Sequence, residues 1–165
     1  MGTTKTGQPF HLSSPVGFVV LETRPTFSWT VLDGASAYVV DVFDSESNRV
    51  ASSGEINLTT WSPSKDLGRQ RTYIWQVTAI KDGKEMTVPA APAAQAKFKI
   101  LGRSAVEEIK NAKSKYARSH LVLGGIYARA GLLGEAEREF RLLVSANGDS
   151  SIAHKLLQSV QSLRH

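Results

Sequence analysis

The histidines His11, His120, His154 and His165 are the side chains best suited to ligate a metal or shuttle a proton, but they share no metal-binding spacing. His120 and His154 could approach each other in a helical bundle, where a surface or half-buried structural role accounts for both. Asp41 and Asp44, three apart, face opposite sides of a strand, which is poor geometry for paired-carboxylate work. Glu135, Glu137 and Glu139 alternate with Arg138 and Arg141 nearby, the pattern of a solvated helix face. No serine sits in a Gly-x-Ser-x-Gly elbow, and Leu123-Gly124-Gly125 falls inside a helical pattern, not in a phosphate loop. The chain has no cysteine, so disulfides, thiolate metal sites and cysteine nucleophiles are excluded within it. The expectation is a protein that is not an enzyme and has no cofactor and no metal.

Lys110, Lys113, Lys115 and Arg118 form the densest basic run. A nucleic-acid site needs more cations and exposed stacking aromatics. Only Tyr116 is interleaved, and it is expected to pack inward, so the run reads as a charged helix face and no nucleic acid is expected. The net charge of +5 is also modest. It is concentrated in the second part of the chain, where 10 Lys and Arg face 6 Asp and Glu over residues 102–165.

The elements that position these residues change character near Gly102. Before it, apolar residues alternate in short runs, and all six prolines lie there. After it, apolar residues recur every three or four positions. Period two means strands and period 3.6 means helices. Phe27–Val31, Tyr38–Val42 and Tyr73–Ala79 alternate cleanly, with Asp33-Gly34, Asn48 and Asp82-Gly83 as turn signals. Weaker strands are expected at Phe18–Leu21, Arg49–Ser53, Thr59–Ser62 and Ala96–Leu101. Seven or so short strands predict a sandwich, and Pro89-Ala-Ala-Pro92 predicts a kinked edge before the last strand. Residues 1–8 are small and polar, with no apolar stretch, and read as a flexible leader or a remnant of cloning. The fold class is therefore α+β: a sandwich over residues 9–101, then four helices over 102–165.

Pro25-x-Phe27-x-Trp29, Ala37-Tyr38-x-Val40-x-Val42 and Leu67 ahead of Tyr73-x-Trp75-x-Val77-x-Ala79 resemble a fibronectin type III domain over roughly residues 14–101. The resemblance implies a core tryptophan at Trp29 and a tyrosine corner made by Leu67 and Tyr73. Trp75 departs from it, being bulky for an inward position.

In the second part, Ser104-Ala-Val-Glu107 has the form of a capping box. Leu123-Gly124-x-x-Tyr127-x-x-x-Gly131-x-Leu133-x-x-Ala136-x-x-x-Phe140 is similar to one tetratricopeptide repeat, over residues 117–148. Gly124 and Ala136 are small where two antiparallel helices cross, and Gly131 supplies the turn. His120 stands where that family prefers a large aromatic. One hairpin cannot bury both faces, so its neighbours must be the flanking helices. Five aliphatics on the last helix represent about 8–15 kcal/mol of burial, so that helix either caps the hairpin or docks on another subunit.

The combination of sandwich and hairpin resembles the extracytoplasmic regions of bacterial membrane-anchored proteins, some of the anti-sigma-factor type. That resemblance implies a protein-interaction or scaffolding role in the periplasm or cell envelope, with a cytoplasmic location as the alternative. The expected partner is a protein or a second copy, with membrane association only through an anchor outside this chain. An accessory carbohydrate-binding domain is the alternative function, and nucleic-acid binding a third. The surfaces singled out are the outward sheet residues Val39, Phe43, Ile74 and Ile80, and Leu156, Val160 and Leu163 on the last helix.

Overall fold

Among the described residues strands lie between Leu12 and Ile100 and helices between Arg103 and Arg164, so the fold is α+β. The computed structural model describes residues 9–164; residues 1–8, expected to be a flexible leader, and His165 lie outside the described residues. The strands are β1 (Leu12–Ser14), β2 (Phe18–Val20), β3 (Phe27–Trp29), β4 (Ala37–Phe43), β5 (Arg49–Ser52), β6 (Thr60–Trp61), β7 (Thr72–Lys81), β8 (Lys84–Val88) and β9 (Ala96–Ile100). The helices are α1 (Arg103–Lys115), α2 (His120–Ala130), α3 (Leu133–Ala146) and α4 (Ser151–Arg164). Two compact units result. Among the described residues, 9–17 and Glu22–Ile100 form the first, while Phe18–Leu21 joins residues 101–164 in the second.

The first unit is a two-sheet sandwich. One sheet has the order β1-β3-β6, and within this unit the other runs β9-β7-β4-β5 with β8 also on β7, these strands pairing antiparallel throughout. Alternation does what it predicts: Tyr38, Val40 and Val42 of β4 and Tyr73, Trp75 and Val77 of β7 are buried, and the residues between them are half-buried. Phe27 joins the two layers, its ring 4.8 Å from Trp75 and 5.4 Å from Phe98. The bulk of Trp75 is accommodated because its cross-strand partner is the small Ala96, and its indole N–H donates to the Pro15 carbonyl at 2.7 Å. Trp29 is buried against Tyr38. The Tyr73 hydroxyl reaches back five residues to accept from the Gly68 amide at 2.7 Å, beside buried Leu67, which is tyrosine-corner geometry.

The Asp82-Gly83 turn takes positive φ at both residues and joins Lys81 to Lys84 as a two-residue hairpin. The proline segment is not a kinked edge strand. From the Val77–Val88 pair to the Trp75–Ala96 pair, β7 advances two residues while the opposing chain advances eight. Residues 89–95 thus leave the ladder, since Pro89 and Pro92 have no N–H to donate to it.

In the second unit α1 starts one residue before the expected capping box. Gly102 is the N-cap, no side chain caps it, and Ser104 already lies inside the helix. Ser119 caps α2 by accepting from Val122, and α2 ends on Gly131 at φ +81°. Leu123, Tyr127, Leu132, Ala136 and Phe140 meet Ile109 and Ala112 of α1 and Val160 of α4 in one apolar core. The flanking helices therefore close the hairpin, α4 among them.

Candidate interaction surfaces

On the outward face of β4 and β7, Phe43 lies directly opposite Ile74, while Val39 faces Thr78 and Ile80 faces Ala37. All four singled-out residues are half-buried. Their rungs are separated by Asp41 opposite Gln76. Arg49 of β5 stands beside Phe43, and Lys97 of β9 beside Ile74. The Arg49 guanidinium also lies 3.5 Å from Asp41 Oδ1. The face is thus an apolar pair flanked by cations, with Val39 and Ile80 apart from it.

The α4 residues divide. Val160 is 3% exposed and belongs to the core of its own unit, so it is not on an interaction surface. The cause is angular: Ala153 and Val160 face the hairpin, whereas Leu163 lies about 60° away on the helical wheel. Leu163 is 69% exposed, Leu156 is half-buried, and Ile152, not among the residues singled out, is 67% exposed on the same stripe. The i, i+4, i+11 spacing of Ile152, Leu156 and Leu163 is the signal that identifies this stripe.

The acidic alternation on α3 is not a uniformly solvated face. Glu137 is buried, bonded to Arg141 Nη2 at 2.5 Å, to Arg164 and to Gln161 Nε2 at 3.4 Å. The Arg141 hydrogen bonds, aided by Arg164 and Gln161, hold its carboxyl down to about 2 against the opposing effect of burial. Glu139 Oε2 lies 2.7 Å from His120 Nδ1, so this histidine meets a carboxylate. Burial, with Glu139 and Glu135 adding to it, pushes the Tyr127 phenol up.

His154 Nε2 contacts the Gly148 carbonyl at 2.9 Å, closing the loop ahead of its own helix, and so it does not pair with His120. His11 is exposed and lines a cleft of about 290 Å³ with Leu12, Val16, Pro89, Ala93 and Ala96. Asp44 accepts from the Asn48 and Glu46 amides, which lowers its pKa and shapes the turn after β4. No group of three His, Asp or Glu among the described residues is placed to hold a metal ion. In the basic run Lys110 pairs with Glu107 at 3.3 Å. Tyr116 does not pack inward: it is 38% exposed at the end of α1, with Lys115 Nζ 5.3 Å from its ring centre. Trp29 and Trp75 are buried, whereas Trp61 is half-buried and lines a cleft of about 200 Å³ with Ser52, Ser64, Lys65 and Asp66. No described helix is long and apolar enough to cross a membrane.

No family model matches the chain. No curated protein matches it either. Among solved structures, it is similar to the crystal structure of a Fn3-like protein from Clostridium thermocellum, at 16% sequence identity and a TM-score of 0.40, over 56% of this chain and 94% of that one.

Proposed function

We propose that this chain is a non-catalytic protein-interaction or scaffolding module, belonging to the extracytoplasmic part of a bacterial envelope protein. The observation that carries the binding role is the α4 stripe, where Ile152 and Leu163 are each about two-thirds exposed. Large aliphatics held on one side of an ordered helix, next to its buried side, are the usual form of a helix contact with another chain. Gly124 tucked beneath Phe140 supports reading α2 and α3 as one tetratricopeptide-like hairpin, and the Tyr73–Gly68 pair supports a fibronectin type III-like sandwich. The envelope location rests on the sequence resemblance. In an analytical ultracentrifugation series, with a site-specific photo-crosslinker at exposed Ser159 on the same side of α4, the chain with Ile152 and Leu163 intact is expected to self-associate or to form one defined adduct. Ile152→Lys with Leu163→Lys should abolish it. A wild type that stays monomeric and gives no adduct removes the reading.

A second reading, accessory carbohydrate binding, is favoured by Trp61 alone, the tryptophan that lines a polar cleft. Its test is tryptophan fluorescence titrated with polysaccharides, compared with Trp61→Phe. A signal that no polysaccharide moves removes it.

A further inference from the structure

Between β5 and β6 the chain crosses from one sheet of the sandwich to the other. Ile56 is pinned to β4 on the way: its amide donates to the Tyr38 carbonyl at 2.9 Å, and its carbonyl accepts from the Tyr38 amide at 2.8 Å. The Thr59 carbonyl is pinned to β3, accepting from the Trp29 amide at 3.1 Å. Asn57 and Leu58 are left on the bend between these two anchors. Both are exposed, and Thr59 is half-buried.

Asn57-Leu58-Thr59 is an Asn-x-Thr triplet whose middle residue is not proline, the acceptor form for N-linked sugar. The other asparagines, Asn48, Asn111 and Asn147, are followed two positions later by Val50, Lys113 and Asp149, so the chain has this one triplet. Glu55 stands two positions ahead of Asn57 and supplies the acidic lead of the bacterial form of the motif. Triplets of this kind also arise by chance, and the placement is what distinguishes this one. Attachment to a folded chain needs an asparagine on a surface loop, and the bend presents Asn57 there while its anchors stay in the two sheets.

We propose that Asn57 is an N-glycosylation site, which takes an oligosaccharide from a polyprenyl diphosphate carrier through a bacterial oligosaccharyltransferase. Asn57 Nδ2 forms a bond to the anomeric carbon of the first sugar, and the bond from that carbon to the diphosphate oxygen breaks. The lipid diphosphate leaves with the electron pair, and a base of the transferase takes the proton lost by the amide nitrogen. Nothing is oxidised or reduced. The Thr59 hydroxyl is the group by which the transferase aligns the amide. The choice of enzyme rests on the envelope location proposed above, because these transferases act on the outer side of the membrane. The attached sugar covers Leu58, which the sandwich leaves 67% exposed.

The test incubates the folded full chain with a purified bacterial oligosaccharyltransferase and its lipid-linked oligosaccharide, followed by intact-mass and peptide mass spectrometry. One glycan is expected, on the peptide containing Asn57. Asn57→Gln and Thr59→Ala should each lose it, Glu55→Gln should lose most of it, and Thr59→Ser should keep it. Tryptophan emission checks that each variant is folded. A folded wild type that takes no glycan, or a glycan that persists in Asn57→Gln, overturns the proposal. So does a chain that is modified only after unfolding, because the bend then does not present the asparagine. The reaction is run in vitro, so a missing adduct counts against the site and not against the envelope location, which cell fractionation reads separately.

Discussion

Phe140 lies across Gly124 so closely that a β-carbon at position 124 would sit 2.4 Å from Cε1 and 2.7 Å from Cδ1 of the ring. The crossing of α2 and α3 is therefore set by the absence of a side chain on one helix and a ring on the other. Gly124→Ala removes a helix-interior glycine, worth about 1 kcal/mol in favour of the helix. It also forces an overpacked ring contact costing about 1–3 kcal/mol. The clash is expected to win, lowering the thermal midpoint of the helical unit, and Phe140→Leu in the same chain should recover part of the loss. Calorimetry on the two variants checks both statements.

Glu137 ties α3 to α4 through Arg141, Arg164 and Gln161. Its carboxyl is held at about 2 in the folded chain against an ordinary value of 4.5. A lowered folded pKa stabilises above the ordinary value, and the contribution disappears as pH falls from there through about 2. Glu137→Gln should cost about 1–2 kcal/mol near neutrality, allowing for the solvent around both guanidinium groups. The gap between variant and wild type should close in acid, which melting curves across that pH range measure.

The Tyr73 hydroxyl accepts from the Gly68 amide and donates to the Gly68 carbonyl at 3.2 Å. Tyr73→Phe keeps the ring stacked on Phe98, 5.6 Å away, and deletes only these bonds. A loss of about 1 kcal/mol is expected, because Gly68 is exposed enough for water to replace part of the pairing. Urea unfolding followed by tryptophan emission reports it.

Phe43 and Ile74 form a single cross-strand apolar rung between Arg49 and Lys97. If that rung holds a partner or packs in assembly, Phe43→Lys with Ile74→Lys lowers the mass in solution or the melting temperature. A double variant that matches the wild type in both would show the face to be idle.

How much of this was legible depended on whether the cause was local. Asp82-Gly83 announced its hairpin because its positive φ angles are a property of two neighbouring residues. Gly124, Gly131 and Ala136 announced the helix crossing because small residues at that spacing have few other uses. Strand β8 has little sequence signature, because Lys84 and Glu85 open it and only Val88 is fully buried, so its alternation is weak. Glu137 was read as solvated because its partners Arg164 and Gln161 come from another helix; only Arg141, one turn away, was a local sign. Ser104 looked like a cap because its spacing to Glu107 fits one, but the helix begins directly after buried Leu101 and Gly102, before the serine can serve. The role of Phe18–Leu21 had no local signature at all, since a short aliphatic run reads the same whichever unit it completes.

The excursion of residues 89–95 separates two ladders that share one strand. Each ladder fixes its own register on β7, so the span between them is a slack length that neither one measures. Residues can be added or removed there, or a tag inserted, while Val88 stays opposite Val77 and Ala96 opposite Trp75. The last strand of the sandwich is in effect spliced from two pieces, with an adjustable joint between them.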